Sequence, residues 1–284
     1  MDTTFKHETV EKLVDIFREH HKNFSINISN DLNIIHSFFL NTNLITEPKD
    51  SFFLISKCSI MYLNLIQLLR DKNYYSAKII YRSLIEHYLK SQYLLSNFDK
   101  NKNLSFDYHL YGKIEEFIND IKMKNLHRSL KGMDKLNEWE LVKSSFPEIE
   151  FKTKKDLNDE IQNFSIKNII KKLTYLFKEY SQIHDHFEII TRDYWESSMF
   201  VHGNPGANDF LIKSNNQYNE DEILDIYNMI TIPFFFIFDT IKFILYHSKA
   251  RFSLPIQNEN KLHLDLESLV PKISKKIEYL KEIE

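Results

Sequence analysis

Little in this sequence bends, crosslinks or carries an excess of charge. Only four of its 284 residues are glycine and six are proline, against a typical glycine share of ~7%. So few punctuating residues leave too few turns for a barrel, sandwich or propeller. A Rossmann sheet or a P-loop is disfavoured too, since both place closely spaced glycines where backbone approaches phosphate. The single cysteine, Cys58, excludes an internal disulfide and any site built on several thiolates, and fits a reducing, cytoplasmic setting. A net charge of −3, from 37 basic and 40 acidic residues, supplies no global field to recruit nucleic acid or an anionic membrane. DNA binding is therefore not expected, and RNA would have to be held by a local site.

What the chain has instead is greasy helical periodicity. Hydrophobic residues make up 43% of it and aromatic residues 14%, enough for a large core. Apolar side chains recur at helical spacing almost throughout, which predicts an all-α bundle. The first residues are charged and amphipathic, unlike a secretory signal. Helices are expected over Glu8 to His21 and Asp31 to Leu40, with Asn30 or Asp31 capping the second and His20-His21 on a solvated end. Glu47 to Ser51 reads as a break. The runs Phe52 to Arg70 and Tyr74 to Leu95, joined by Asp71-Lys72-Asn73, predict a long antiparallel helix hairpin.

Further helices are expected over Leu104 to Leu130, Ser165 to Tyr180, Asp185 to Val201, Glu220 to Lys249 and Leu266 to Ile283. The least regular stretch, about 131–165, reads as an insertion. This divides the chain into N-terminal helices over 1–46, a main bundle over 47–250 and a C-terminal segment over 251–284. The most apolar stretch, Ile226 to His247, has only 13 residues, Ile226 to Phe238, before Asp239 interrupts it. A span needs ~20 apolar residues, so a buried core helix with Pro233 at a kink or start is expected, and no membrane association.

Two segments concentrate unusual residues. In the first, Arg82 and Glu86 lie four apart and so meet on one helix face, with Lys78 a turn before them. Such a ridge in an apolar helix is either a structural ion pair or the floor of an anion site. In the second, Tyr194, Ser198 and His202 fall at i, i+4 and i+8, beside Arg192 and just before Gly203, Asn204, Pro205 and Gly206. Gly203 suits a left-handed helix terminus. His202 is either a cap complementing the helix dipole or a general acid–base. Ser198 lacks a nucleophile elbow and an evident oxyanion hole. His184-Asp185-His186 with Glu188 has metal-binding residue types without a second ligand set, so no metal or cofactor is expected. The lysines at 152, 154 and 155 are balanced by nearby carboxylates and read as solvated charge.

The helix Ala77 to Glu86, reading A-x-x-x-x-R-S-L-x-E, and the element Ser198 to Gly203, reading S-x-x-x-H-G, resemble a bacterial family catalogued as domain of unknown function 5677, over about residues 50–250. The resemblance implies an all-helical, HEPN-like fold, many of whose members are metal-independent ribonucleases in defence or toxin–antitoxin systems. Such enzymes place a His four to six residues after an Arg and complete the site across a dimer. Arg82 and His87 have that spacing, although at i+5 they point ~140° apart on a straight helix. Arg192 and His202 are separated by nine residues. Two functions follow as expectations. One is a ribonuclease with His202 or His87 as base and Arg82 or Arg192 on the phosphate. The other is a non-catalytic module, homodimeric or partner-binding, in which Arg82, Glu86, Tyr194 and Ser198 form a structural network.

Overall fold

Two helices joined by three polar residues bury their apolar faces by folding back on each other, and this hairpin is the spine of the structure. The computed structural model describes residues 5–42, 45–96, 104–177, 181–203 and 217–257. Helices α2 (Glu47–Arg70) and α3 (Tyr74–Ser96) pack antiparallel. Ser51 Oγ donates to the Ser91 carbonyl at 3.2 Å near one end of the pair, and Cys58 Sγ to the Leu84 carbonyl further along. The turn closes through Lys72, at φ 59°, and the Asn73 side chain accepts from Ser76 N at 3.2 Å, starting α3. The pattern predicts this hairpin well. Its first helix begins earlier than expected, at Glu47, with Pro48 in the first turn, where a missing N–H costs nothing.

Around the spine lie α1 (His7–Asn41), α4 (Leu104–Leu130), α5 (Glu138–Ser145), α6 (Lys154–Gln162), α7 (Ile166–Phe177), α8 (Ser181–Val201) and α9 (Glu220–Phe252), with a 3-10 turn at Pro147–Ile149. Apart from a two-residue antiparallel ladder between β1 (Phe5–Lys6) and β2 (Gln217–Tyr218), the described residues are helical wherever they are regular. The main core draws on α1, α2, α3, α7, α8 and α9. Phe17 meets Phe234 edge to face at 5.1 Å, and Tyr88 stacks on Phe236 at 3.9 Å. A smaller core joins Tyr111, Ile114, Ile118 and Ile121 of α4 to Val142, Ile149, Leu157 and Ile161 beyond it, with Phe164 packed against both.

The N-terminal region is one helix, not two. The Ser/Asn-rich stretch that looks like a break keeps Phe24, Ile28 and Ile35 buried on one face, and this burial overrides weak local propensity. Asp31 consequently does not cap a helix: it is buried and accepts from Gln257 N at 3.2 Å. His21 is buried rather than solvated, with Nε2 3.0 Å from Ser59 Oγ and its ring between Tyr62 and Phe238. Helix α9 runs through Pro233 instead of starting there. By length and composition, α2 and α9 could each cross a membrane; here both contribute to the core. The helix expected over Leu266 to Ile283 lies outside the described residues.

Candidate functional site

Helix α8 lies against α3 with the opposite chain direction, so polar stripes read separately from the two segments face each other. Near one end, Tyr75 OH donates to the Phe200 carbonyl at 2.9 Å. One or two turns on, Arg82 Nε donates to Ser198 Oγ at 3.0 Å and Arg82 Nη2 to Tyr194 OH at 3.1 Å. Arg82 Nη2 also pairs with Glu86 Oε1 at 2.9 Å, and Tyr194 OH donates to that same oxygen at 3.2 Å. The guanidinium sits 5.1 Å from the centre of the Tyr194 ring. With side chains only 17% and 24% exposed, Arg82 and Glu86 would be costly to bury unless paired and hydrogen-bonded. Ser198 Oγ in turn donates to the Tyr194 carbonyl at 2.8 Å, so its proton is committed to its own helix. Burial, helped by the charge of Glu86, raises the pKa of Tyr194.

The structure therefore brings Arg82, Glu86, Tyr194 and Ser198 into direct contact. The other candidates lie apart from this knot. Arg192 is largely exposed and turns to its own helix, with Nη2 3.4 Å from Asp193 Oδ1 and Nε 3.8 Å from Glu196 Oε1. His87 donates from Nδ1 to the Ser83 carbonyl at 2.8 Å. Burial lowers its pKa, that hydrogen bond opposes the shift, and the charges of Lys90 and Lys57 add to the lowering. His202 is exposed, one turn beyond Ser198 on α8, and Gly203 follows with φ 61°, the left-handed terminus expected of it. Asn204 lies outside the described residues, as do the side chains of His184, Asp185 and His186. Among the described residues, no group of three or more His, Cys, Asp and Glu side chains is placed to hold a metal ion.

Sequence reasoning missed a second layer just behind the first. Tyr81 OH donates to the buried Asp193 at 2.7 Å. Burial raises the Asp193 pKa, against the lowering effects of that hydrogen bond and of Arg192. Lys78, also buried, pairs with Asp225 of α9 at 2.6 Å. The available signal was positional: Tyr81 and Asp193 each stand one residue before Arg82 and Tyr194, so facing stripes imply a neighbouring pair.

Fold and contact together define an all-helical protein whose central hairpin is tied by hydrogen bonds and ion pairs to a later helix. The chain belongs to the family of unknown function DUF5677, whose sequence model matches residues 51–219, a span that holds both halves of the α3–α8 contact. No curated protein and no solved structure matches the chain.

Proposed function

We propose that this chain is a non-catalytic helical module that binds a partner or ligand, and that Arg82, Glu86, Tyr194 and Ser198 are a structural clamp within it. The observation that carries this reading is their mutual satisfaction: Nε and Nη2 of Arg82 point at protein oxygens, and its charge is matched by Glu86. Groups that stabilise a transition state are aimed at where substrate charge develops; these are aimed at one another. A double-mutant cycle tests the clamp. Arg82→Met and Ser198→Ala are expected to couple by about 1 kcal/mol in unfolding free energy, and additivity within ~0.3 kcal/mol would reject a shared network.

One observation favours a second reading, a HEPN-like, metal-independent ribonuclease acting in a bacterial defence or toxin–antitoxin setting. His202 is exposed on the stripe that carries Ser198, and Arg82 Nη1 has no protein partner among the described residues. In this reading His202 takes the proton of a ribose 2′-hydroxyl, Arg82 Nη1 holds the phosphorane, and a second copy of the chain completes the site. Incubation with tRNA in EDTA is the test. Cleavage lost in His202→Ala supports it, whereas intact tRNA, or cleavage that survives the substitution, removes it.

A further inference from the structure

Apart from the clamp, α2, α3, α4 and α6 line a cleft of 470 Å³, a size typical of small-molecule sites. Its walls differ in chemistry. The α2–α3 wall presents Lys57 and Lys90, and among the described residues neither has a carboxylate partner. Their charges act together on His87, whose pKa both lower. Opposite, Tyr108, Phe164 and Ile161 supply an apolar, largely aromatic surface.

Between these walls stands a fixed imidazole. Asp50 is buried, and both of its oxygens are engaged: Ser105 Oγ donates to Oδ2, and His109 Nε2 lies 2.7 Å from Oδ1. His109 itself is 43% exposed in its side chain and lines the cleft. A carboxylate that binds one ring nitrogen orients the ring and directs the other nitrogen. For His109 that other nitrogen, Nδ1, has no hydrogen-bond partner among the described residues.

The glycine in α4 adds an independent sign. Gly112 lines the cleft in mid-helix, and a Cβ built on it meets nothing within 4 Å. Glycine within a helix is destabilising relative to alanine, and here neither packing nor a left-handed backbone requires it. The missing side chain leaves open space on the α4 side of the cleft.

We infer that this cleft binds a small organic anion, a carboxylate or phosphate monoester on a flat apolar body, with the anion on Lys57, Lys90 and the Nδ1–H of His109 in its imidazolium form, and the body against Tyr108 and Phe164. At the α4 side Lys113, Glu115 and Glu116 are all exposed and line the cleft, a mixed charge that selects no second ionic group on the ligand. The inference gives the proposed binding module its ligand class and rests on that reading. It uses none of the clamp residues, so the two fail separately: loss of coupling between Arg82 and Ser198 leaves the cleft untouched, and an empty cleft leaves the clamp untouched.

The experiment is calorimetric titration of the full chain with phenyl phosphate, benzoate and benzamidine, alongside inorganic phosphate. Saturable binding of phenyl phosphate or benzoate is expected, with the tighter of the two identifying the anionic group, and no binding of the cationic benzamidine. Lys57→Met with Lys90→Met should weaken it about tenfold or more, because charge-assisted contacts are lost. Gly112→Leu should abolish it while its unfolding midpoint without ligand stays at or above that of the wild type. Absence of binding by both aromatic anions overturns the inference. So does equal binding of benzamidine, inorganic phosphate binding as tightly as phenyl phosphate, or retained binding in Gly112→Leu.

Discussion

The two faces of the central hairpin treat polar groups in opposite ways. On the α8 side the polar atoms are spent on one another: Arg82 meets Ser198, Tyr194 and Glu86, while Tyr81 meets Asp193. On the α4 side they are held but not used up. Asp50 secures His109, Lys57 and Lys90 are left without carboxylates among the described residues, and a glycine leaves room in front of them. A charged residue in an apolar helix is therefore poor evidence of function by itself. What separates clamp from cleft is whether a charge meets its counter-charge inside the protein, as Arg82 meets Glu86.

The largest expected difference between the faces is in stability. Arg82→Met leaves the Glu86 carboxylate, only 24% exposed, without its cation and Ser198 Oγ without its donor, and should cost about 2–4 kcal/mol in unfolding free energy. Lys90→Met removes a cation with no ion-pair partner among the described residues and should change stability by less than ~0.5 kcal/mol. Urea unfolding at unchanged slope measures both. Equal costs for the two substitutions would erase the distinction between a closed and an open face.

How much of this was legible beforehand follows from the range of the interactions involved. The hairpin and the two stripes depend on spacings of three and four residues, which a sequence displays directly. Partner choice between helices does not. Nothing within reach of Lys78 in the chain announces Asp225, and nothing near Asp50 announces His109, because these pairs are set by how distant helices dock. The same cause hid the continuity of α1: its polar middle is held helical by Phe24 and Ile28 against the core, a tertiary effect stronger than the local signal. His87 is the contrary case: its i+5 offset from Arg82 already turns it ~140° away on a straight helix, and the structure keeps it apart from the clamp, on the Ser83 carbonyl.

That rotation makes His87 a reporter of the open face, and pH sharpens the comparison. Its folded pKa lies below the ordinary imidazole value, through burial first and Lys90 and Lys57 next. The unfolded chain takes up a proton below about pH 6.5 while the folded chain resists it, so stability contributed by neutral His87 is lost as pH falls through that value. Buried His21, lowered by desolvation alone, adds a loss of the same sign. Lys90→Met should raise the His87 titration midpoint, read from its ring-proton NMR shift, and leave that of His21 in place. Arg82→Met should move neither. A midpoint for His87 that ignores Lys90 would mean that the lysines do not share the cleft's field.

The smallest effect expected is also the most discriminating, because it runs in opposite directions for folding and for binding. Gly112→Ala places a methyl group where nothing of the protein stands within 4 Å, in the interior of α4. Helix propensity then predicts a gain of about 0.5–1 kcal/mol in stability. The same methyl stands on a residue that lines the cleft, so affinity for an aromatic anion should fall by a few-fold as contact distance is lost. A residue kept for local backbone reasons would give a loss of stability, and one that is merely incidental would give a gain with unchanged binding. Only a gain in unfolding midpoint together with weaker binding of phenyl phosphate fits a glycine that holds open a site, because propensity acts on the helix alone and the lost affinity requires an occupant in the cleft.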